Sequence, residues 1–188
     1  MLILASKSPR RTELLGLTGY EFMSVSPRGD EFAYRGGEIS RYVMTLAETK
    51  AKSVVEDFPG SVIIGADTVA TLDGKVLGKP TDPADAEEML HLLSGRSHEV
   101  YTGVSLVCDN RMLSNFCLTT VSFRALSDSE IRDYVSSGEP MDKAGAYGIQ
   151  GSGANFLSRI DGDYFNVVGL PVKLLVSMLD SFLTSFSE

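Results

Sequence analysis

A cluster of cations and hydroxyls near the start of the chain has the composition of a phosphate-binding site. A short apolar strand, Leu2–Ala5, runs directly into Ser6–Arg11, which holds two serines, a proline and three basic residues. Ser8 suits the N-cap of a helix, and Pro9 suits its first position. A helix N-terminus binds anions through its N–H groups and dipole, and arginine can hold a phosphate with two hydrogen bonds. These residues predict a strand–loop–helix that binds phosphate.

The same segment has a second interpretation, in which it is an ordinary helix start with solvated basic residues. It is not a P-loop, since it lacks the glycine-rich spacing before a lysine and a serine or threonine. Basic side chains in a first turn oppose the helix dipole, so Arg10 and Arg11 are unfavourable there without an anion. These residues alone leave both interpretations open.

Lys50 is a second unusual cation. It follows Val43 by seven residues and precedes Val54 by four, which places it on the apolar stripe of a helix predicted over Ile39–Phe58. A lysine on an inward face needs an anion or a water-filled cleft, unless its side chain extends past the core to water. We therefore expect Lys50 to contact a phosphate, with extension to solvent as the alternative.

The complete set of candidate groups combines cations with carboxylates. The cations are Arg10, Arg11, Lys50 and Lys79, and the carboxylates are Glu31, Asp67 and Asp142. Each one alone has an ordinary explanation, as a solvated loop acid, a capped turn or a surface lysine. Together they suit a polyphosphate bound with a divalent ion, because Mg²⁺ prefers a few carboxylates with phosphate oxygens and water. The two histidines have no metal-ligand spacing, and no serine nucleophile motif is present.

The overall composition restricts the class of protein. A chain of 188 residues with 43% hydrophobic and 22% charged residues is typical of one soluble globular domain. A net charge of -8 argues against nucleic-acid and anionic-membrane partners. The two cysteines are predicted to be reduced, as in a cytoplasmic protein. No stretch approaches ~20 apolar residues, and no signal-peptide pattern is present, so we expect no membrane span.

The hydrophobic pattern alternates between strands and helices. Ser61–Ala66 is a continuous apolar run typical of a buried strand, with Asp67 and Thr68 near its carboxyl end, where ligands of α/β sheets bind. A strand is also predicted at Tyr164–Val168, before a last helix. The order predicts an α/β fold, in which helices flank an elongated, twisted mixed β-sheet. We expect a single domain, 1–188, with two lobes around a central cleft.

Four segments resemble, in order and at suitable separations, the motifs of the Maf family of nucleoside triphosphate pyrophosphatases. They are Leu4–Arg11, Gly65–Val69, Leu77–Pro80 and Gly138–Gly151. The resemblance covers essentially the whole chain, and four motifs in register are far more specific than any one. It implies a fold like that of Maf proteins and inosine triphosphatase.

The resemblance also implies a reaction, which is cleavage between the α and β phosphates of a nucleoside triphosphate. Asp67 matches the motif aspartate and is implied to be the general base that activates water. Glu31 and Asp67 are implied to hold a divalent metal cation, with Mg²⁺ preferred. The implied substrate-binding residues are Ser8, Arg10, Arg11, Lys50, Thr68, Lys79 and Gln150.

The segment Gly145–Gln150 resembles the branch of the family that acts on dTTP and UTP. The amide of Gln150 can donate and accept, which matches the O4 and N3–H edge of uracil or thymine. Arg10 and Thr68 match the other specificity positions. Modified uridine triphosphates also fit such a site, and the resemblance suggests a homodimer. The alternatives are the sister branch that acts on 7-methyl-GTP, and a nucleotide-binding regulator of cell division without turnover.

Overall fold

The computed structural model of the protein describes residues 1–29 and 32–184. The strands of this part of the chain are β1 (Leu2–Ala5), β2 (Phe22–Val25), β3 (Val62–Leu72), β4 (Lys75–Leu77), β5 (Ser97–Cys108), β6 (Arg111–Phe123) and β7 (Leu157–Asp161). The helices are α1 (Pro9–Gly16), α2 (Ile39–Lys52), α3 (Pro83–Leu93), α4 (Asp128–Ser136), α5 (Tyr164–Val168) and α6 (Val172–Thr184). No helix among the described residues has both the length and the apolar character needed to cross a membrane.

All of these strands belong to one mixed sheet. Its order is β2-β1-β3-β5-β6-β7, and β4 pairs with β3 beside this path. Strand β1 lies parallel to both of its neighbours, so that Leu2 is opposite Phe22 on one side and Val62 on the other. Strands β4 and β7 run antiparallel to β3 and β6, respectively. The predicted α/β class with a mixed sheet and flanking helices is therefore confirmed.

The chain divides into two compact units. The first unit comprises Met1–Asp67, Thr102–Cys117 and Gly169–Glu188, and the second comprises Thr68–Tyr101 and Leu118–Val168. Strand β3 passes from the first unit to the second between Asp67 and Thr68. The prediction of a single domain with two lobes around a cleft stays a prediction.

The core of the first unit forms where helix α2 covers the parallel strands. Ile3 of β1 and Ile63 of β3 are completely buried, and Ala51 of α2 packs in the same cluster. These strands are continuous apolar runs because parallel strands of this kind are covered on both faces. The helix predicted over Ile39–Phe58 ends earlier, at Lys52, and a short 3₁₀ turn at Val55–Asp57 follows it.

The core of the second unit is rich in aromatic side chains. Tyr147 packs edge-on against Phe123, with 4.8 Å between the ring centroids, and Tyr134 packs in the same way against Phe156 at 4.9 Å. Such edge-to-face pairs stabilise a core beyond the apolar area that they bury. Because Tyr147 belongs to the glycine-rich segment Gly138–Gly153, this core anchors that segment.

The strand predicted at Tyr164–Val168 is wrong, because these residues form helix α5. The carboxylate of Asp163 accepts hydrogen bonds from the N–H groups of Phe165 at 2.8 Å and Asn166 at 3.3 Å, as an N-cap does. The buried Asn166 amide donates to Val100 O at 3.0 Å and to Thr119 Oγ1 at 2.9 Å. These contacts outweigh the strand preference of the aromatic and β-branched residues in this segment.

Candidate active site

The predicted strand–loop–helix is present at β1 and α1. The N–H of Ser6 donates to Val25 O at 2.9 Å, and the N–H of Ser8 donates to Ser6 Oγ at 3.1 Å, so the loop between the two elements has a defined shape. Ser8 occupies the N-cap and Pro9 the first turn, as predicted, although no N–H among the described residues donates a capping hydrogen bond to the Ser8 hydroxyl. The first turn of α1 holds no acidic residue. This N-terminus therefore keeps the positive potential that an anion site needs.

The two arginines of this loop are half-buried in the first unit. Arg11 Nε donates to the carbonyl oxygen of Gly169, just before α6, at 2.8 Å. This bond fixes the plane of the Arg11 guanidinium group relative to α1. A guanidinium group of fixed plane can bind a phosphate without losing further rotamer freedom.

Lys50 and Asp67 form an ion pair in the first unit. Lys50 lies in the last turn of α2, and its Nζ donates to Asp67 Oδ1. The two side chains are only 14% and 8% exposed, respectively. The inward phase predicted for Lys50 is therefore confirmed, whereas its contact with phosphate stays a prediction. Asp67 does not lie near the end of its strand as predicted, since β3 continues to Leu72.

Two glycines allow α2 to lie this close to the sheet. A Cβ atom at Gly65 of β3 would lie 2.0 Å from Ala47 O and 2.9 Å from Ala51 N, which are both on α2. A Cβ atom at Gly103 of β5 would lie 2.3 Å from Val43 O. Lys50 lies between the two alanines on α2. Gly65 therefore sets the distance between α2 and β3 that the Lys50 side chain spans to reach Asp67. Sequence reasoning missed this role, although a glycine inside a strand pattern signals a close backbone approach.

We expect Gly65→Ala to separate α2 from β3 and to weaken the Lys50–Asp67 pair. Overpacking typically costs ~1–3 kcal/mol, and this site should lie at or above that range because the added methyl meets main-chain atoms. Urea unfolding of the variant measures the loss. Gly16→Ala is a matched control, since no described atom lies within 4 Å of the Cβ position there. An equal effect of the two substitutions would contradict this role of Gly65.

The remaining candidate side chains lie in the second unit. Thr68 follows Asp67 on β3 and is half-buried, whereas Lys79 and Gln150 are exposed. The N–H of Gly145 donates to Gly78 O at 3.0 Å, which ties the glycine-rich segment to the residue before Lys79. Strand β4, which precedes Lys79, pairs with β3 beyond Thr68. Main-chain bonds therefore hold the segments that carry these three side chains.

Gln150 is an exposed residue in a well-anchored segment. Tyr147 and Ile149 before it are buried, and the Tyr147 hydroxyl is 2.8 Å from Nε2 of the buried His98. Burial lowers the pKa of His98 to about 4, so its ring is neutral at neutral pH. Burial raises the pKa of Tyr147, so its hydroxyl stays protonated. This neutral pair fixes the main chain from which Gln150 extends towards solvent.

The predicted metal ligands are described only in part. Glu31 lies outside the described residues. Asp142, the third candidate carboxylate, is exposed and pairs with Lys143 at 2.6 Å. Within 1–29 and 32–184, no three His, Cys, Asp or Glu side chains are grouped as a metal site. A single carboxylate such as Asp67 nevertheless fits Mg²⁺, which uses one or two carboxylates together with substrate phosphates rather than a cage of protein ligands.

Known proteins are similar to this chain over almost its full length. A family profile described as Maf-like protein matches residues 1–182. A protein of Symbiobacterium thermophilum named dTTP/UTP pyrophosphatase is 51% identical over 181 residues, which cover 96% of this chain and 93% of the relative. A Bacillus pumilus protein of the same name is 48% identical, with 96% of each chain covered. The structure of a HAM1 protein from Coxiella burnetii covers 96% of this chain and 98% of its own, with a TM-score of 0.51 and 16% identity, and therefore shares the fold alone.

Proposed function

Since the chain belongs to the Maf-like protein family, we propose that it hydrolyses dTTP and UTP to nucleoside monophosphates and pyrophosphate. The family resemblance of the four motifs is confirmed by the match over residues 1–182. Relatives named dTTP/UTP pyrophosphatase, at 51% and 48% identity, support both the enzyme class and the pair of substrates. The observation that carries the proposal is the Lys50–Asp67 pair, because it places a nearly buried carboxylate beside a lysine ammonium group, a cation of the kind that binds phosphate.

The residues of the first unit supply the hydrolytic chemistry in this proposal. Asp67 accepts a proton from the water that cleaves the anhydride between the α and β phosphates. Ser8, Arg10 and Arg11 bind the triphosphate at the N-terminus of α1, and Lys50 passes from Asp67 to a phosphate oxygen when substrate enters. Positive groups that are already in place stabilise the charge that develops on the leaving pyrophosphate.

The residues of the second unit contribute a further cation and base recognition. Lys79 adds its charge to the phosphates, while Thr68 and Gln150 contact the nucleoside. Glu31 and Asp67 would hold a Mg²⁺ ion, which supplies charge neutralisation of the phosphate oxygens when it is bound. A site with only these two carboxylates suits an ion that binds together with a triphosphate.

A product assay tests this proposal. The purified protein is incubated with dTTP or UTP and Mg²⁺, and pyrophosphate and orthophosphate are measured separately from the first turnovers. We expect pyrophosphate as the primary product. Orthophosphate as the primary product, or binding without turnover of any nucleotide, would overturn the proposal. A preference for 7-methyl-GTP would leave the reaction standing and overturn the substrate assignment.

We expect uracil and thymine nucleotides to be preferred over CTP, and Gln150→Glu to weaken the hydrolysis of both dTTP and UTP. A carboxylate cannot donate a hydrogen bond to O4, and cytosine presents an amino donor where uracil has that acceptor. Sites built on buried hydrogen bonds reject bases that leave those bonds unpaired, whereas the thymine methyl only adds apolar bulk. Uridine triphosphates whose modification leaves the O4 and N3–H edge of the base intact should also be hydrolysed. The values of kcat/KM for dTTP, UTP, CTP and 7-methyl-GTP, measured side by side, check these statements, and an unchanged UTP rate in the variant would contradict them.

We also propose that the protein acts as a homodimer in the cytoplasm. Cys108 and Cys117 both carry reduced thiols, as is typical of a reducing compartment. Light scattering of the purified protein measures its oligomeric state, and a monomeric mass would overturn the dimer.

A further inference from the structure

The carboxylate of Glu139 is the acceptor to which the main chain of the glycine-rich segment is bound. Its Oε2 accepts a hydrogen bond from the N–H of Ser152 at 3.0 Å. Its Oε1 accepts from the hydroxyl of Tyr134 at 3.0 Å and, more weakly, from the N–H of Gly153 at 3.5 Å. A side chain at the start of the segment therefore binds the main chain near its end.

Three glycines of the segment are located where a Cβ atom would meet the Glu139 carboxylate or its neighbours Lys143 and Tyr134. At Gly151 a Cβ would lie 2.2 Å from Glu139 Oε1, and at Gly148 it would lie 2.5 Å from Lys143 Cε and 3.2 Å from Glu139 Oε1. At Gly153 it would lie 2.8 Å from the Tyr134 hydroxyl. The main chain thus wraps closely around the carboxylate, which explains why glycine is needed at these positions.

Tyr134 connects the Glu139 carboxylate to the main chain that precedes Gln150. The N–H of Gly148 donates to the Tyr134 hydroxyl at 3.0 Å, and that hydroxyl donates to Glu139. Gly148 and Ser152 lie on either side of Gln150 in the chain, so both flanks of Gln150 are bound to one carboxylate, directly or through Tyr134. The tyrosine ring itself is held in the core beside Phe156.

An ionised carboxylate suits this arrangement, because Ser152, Gly153 and Tyr134 each donate a hydrogen bond to it. Burial raises the pKa of Glu139, but the hydrogen bonds from Ser152, Tyr134 and Gly153 and the charge of Lys143 lower the pKa more, so the net shift is downward. A glutamine in its place would either direct its amino group at the Ser152 N–H, so that two donors face each other, or direct it at Tyr134, which would turn the tyrosine hydroxyl into an acceptor and remove the acceptor of the Gly153 N–H.

We infer that Glu139 is a positioning residue for base recognition, which fixes the main chain on both sides of Gln150 and so sets the direction of the Gln150 amide. The inference rests on the proposed function, since it assigns the base-reading role to Gln150. Glu139 acts through the main chain of Gly148–Gly153. It determines which base is accepted, while the hydrolytic groups of the first unit are left unchanged.

The test compares wild-type protein with Glu139→Gln by two readouts. The ratio of kcat/KM for UTP to that for CTP should fall about tenfold, since charge-assisted hydrogen bonds to Glu139 are lost and a mobile Gln150 amide can suit either base. The loss should appear mainly as a higher KM for UTP. Amide hydrogen exchange should become faster over 148–153 in the variant, and this readout does not depend on activity.

Glu130→Gln is the matched control. Glu130 also lies in the second unit and accepts hydrogen bonds from the Ser127 N–H at 2.9 Å and from Arg124 at 2.6 Å, but it caps α4 instead of holding the glycine-rich segment. The Glu130→Gln substitution should lower the thermal stability and leave the ratio of kcat/KM for UTP to that for CTP at the wild-type value. In the double variant Glu139→Gln with Gln150→Ala, the two effects on that ratio should be less than additive, because both act through one amide.

Two outcomes separate this inference from the proposed function. A wild-type UTP:CTP ratio and unchanged exchange in Glu139→Gln would overturn the positioning role and leave the pyrophosphatase standing. No pyrophosphate release by wild-type protein would overturn the proposed function, and the inference about base recognition with it. If Glu139→Gln fails to fold, Tyr134→Phe removes the donor to Oε1 and the acceptor for Gly148 without altering the carboxylate. It should lower the ratio by a smaller factor, and an unchanged ratio would overturn the positioning role.

Discussion

Asp67→Asn should lose most of the turnover of dTTP and UTP while the protein stays folded and binds nucleotide. Asparagine has the shape of aspartate, and its carbonyl oxygen can still accept the hydrogen bond from Lys50, but it cannot take a proton from water. Loss of a general base typically lowers the rate by ~10²–10⁴. Single-turnover release of pyrophosphate measures the loss, while calorimetric titration with nucleotide and thermal unfolding verify binding and fold.

The matched control for this substitution is Asp73→Asn. Asp73 also pairs with a cation, Arg96, at 2.7 Å, but its side chain is 70% exposed and it lies in the turn after β3. Exposed pairs of this kind contribute ~0–1 kcal/mol, so neither activity nor stability should change appreciably. Near-wild-type turnover in a folded Asp67→Asn protein would remove Asp67 from the role of base.

The features that sequence reasoning predicted correctly are those encoded by local patterns. The phase of Lys50 follows from helical periodicity, and the structure confirms its inward side. Ser127 and Glu130 are recognisable as a capping box, which is present at the start of α4. Asp109 and Asn110 form a turn dipeptide between two strand-like segments of the sequence, and they join β5 to β6. In each case the residues that determine the structure are within one or two turns of each other.

The features that sequence reasoning missed depend on contacts between distant parts of the chain. Gly65 is a motif residue, but its function is visible only against Ala47 of α2. Glu139 is also a motif residue, and its role appears only when the chain folds back to Ser152. Asn166 stabilises α5 through Val100 of β5. Tertiary contacts of this kind override or add to local propensity, and a single sequence does not reveal the partner.

Lys50→Met should lower both activity and stability, and the two losses have different causes. Activity falls because a cation that binds phosphate is removed. Stability falls because the nearly buried carboxylate of Asp67, 8% exposed, loses its cationic partner. Breaking a buried ion pair from one side costs on the order of 3 kcal/mol, since the remaining charge stays desolvated.

A double variant distinguishes these two causes. In Lys50→Met with Asp67→Asn the nearly buried charge of Asp67 is removed as well, so stability should recover most of its loss while turnover stays low. Lys52→Met is the matched control on the same helix, because Lys52 is 53% exposed and its pair with Glu48 is long, at 3.9 Å. Urea unfolding, together with kcat and KM for UTP, gives the comparison. Unchanged kinetics in Lys50→Met would make Lys50 a structural partner of Asp67 alone, and unchanged stability would mean that the ion pair contributes nothing to the fold.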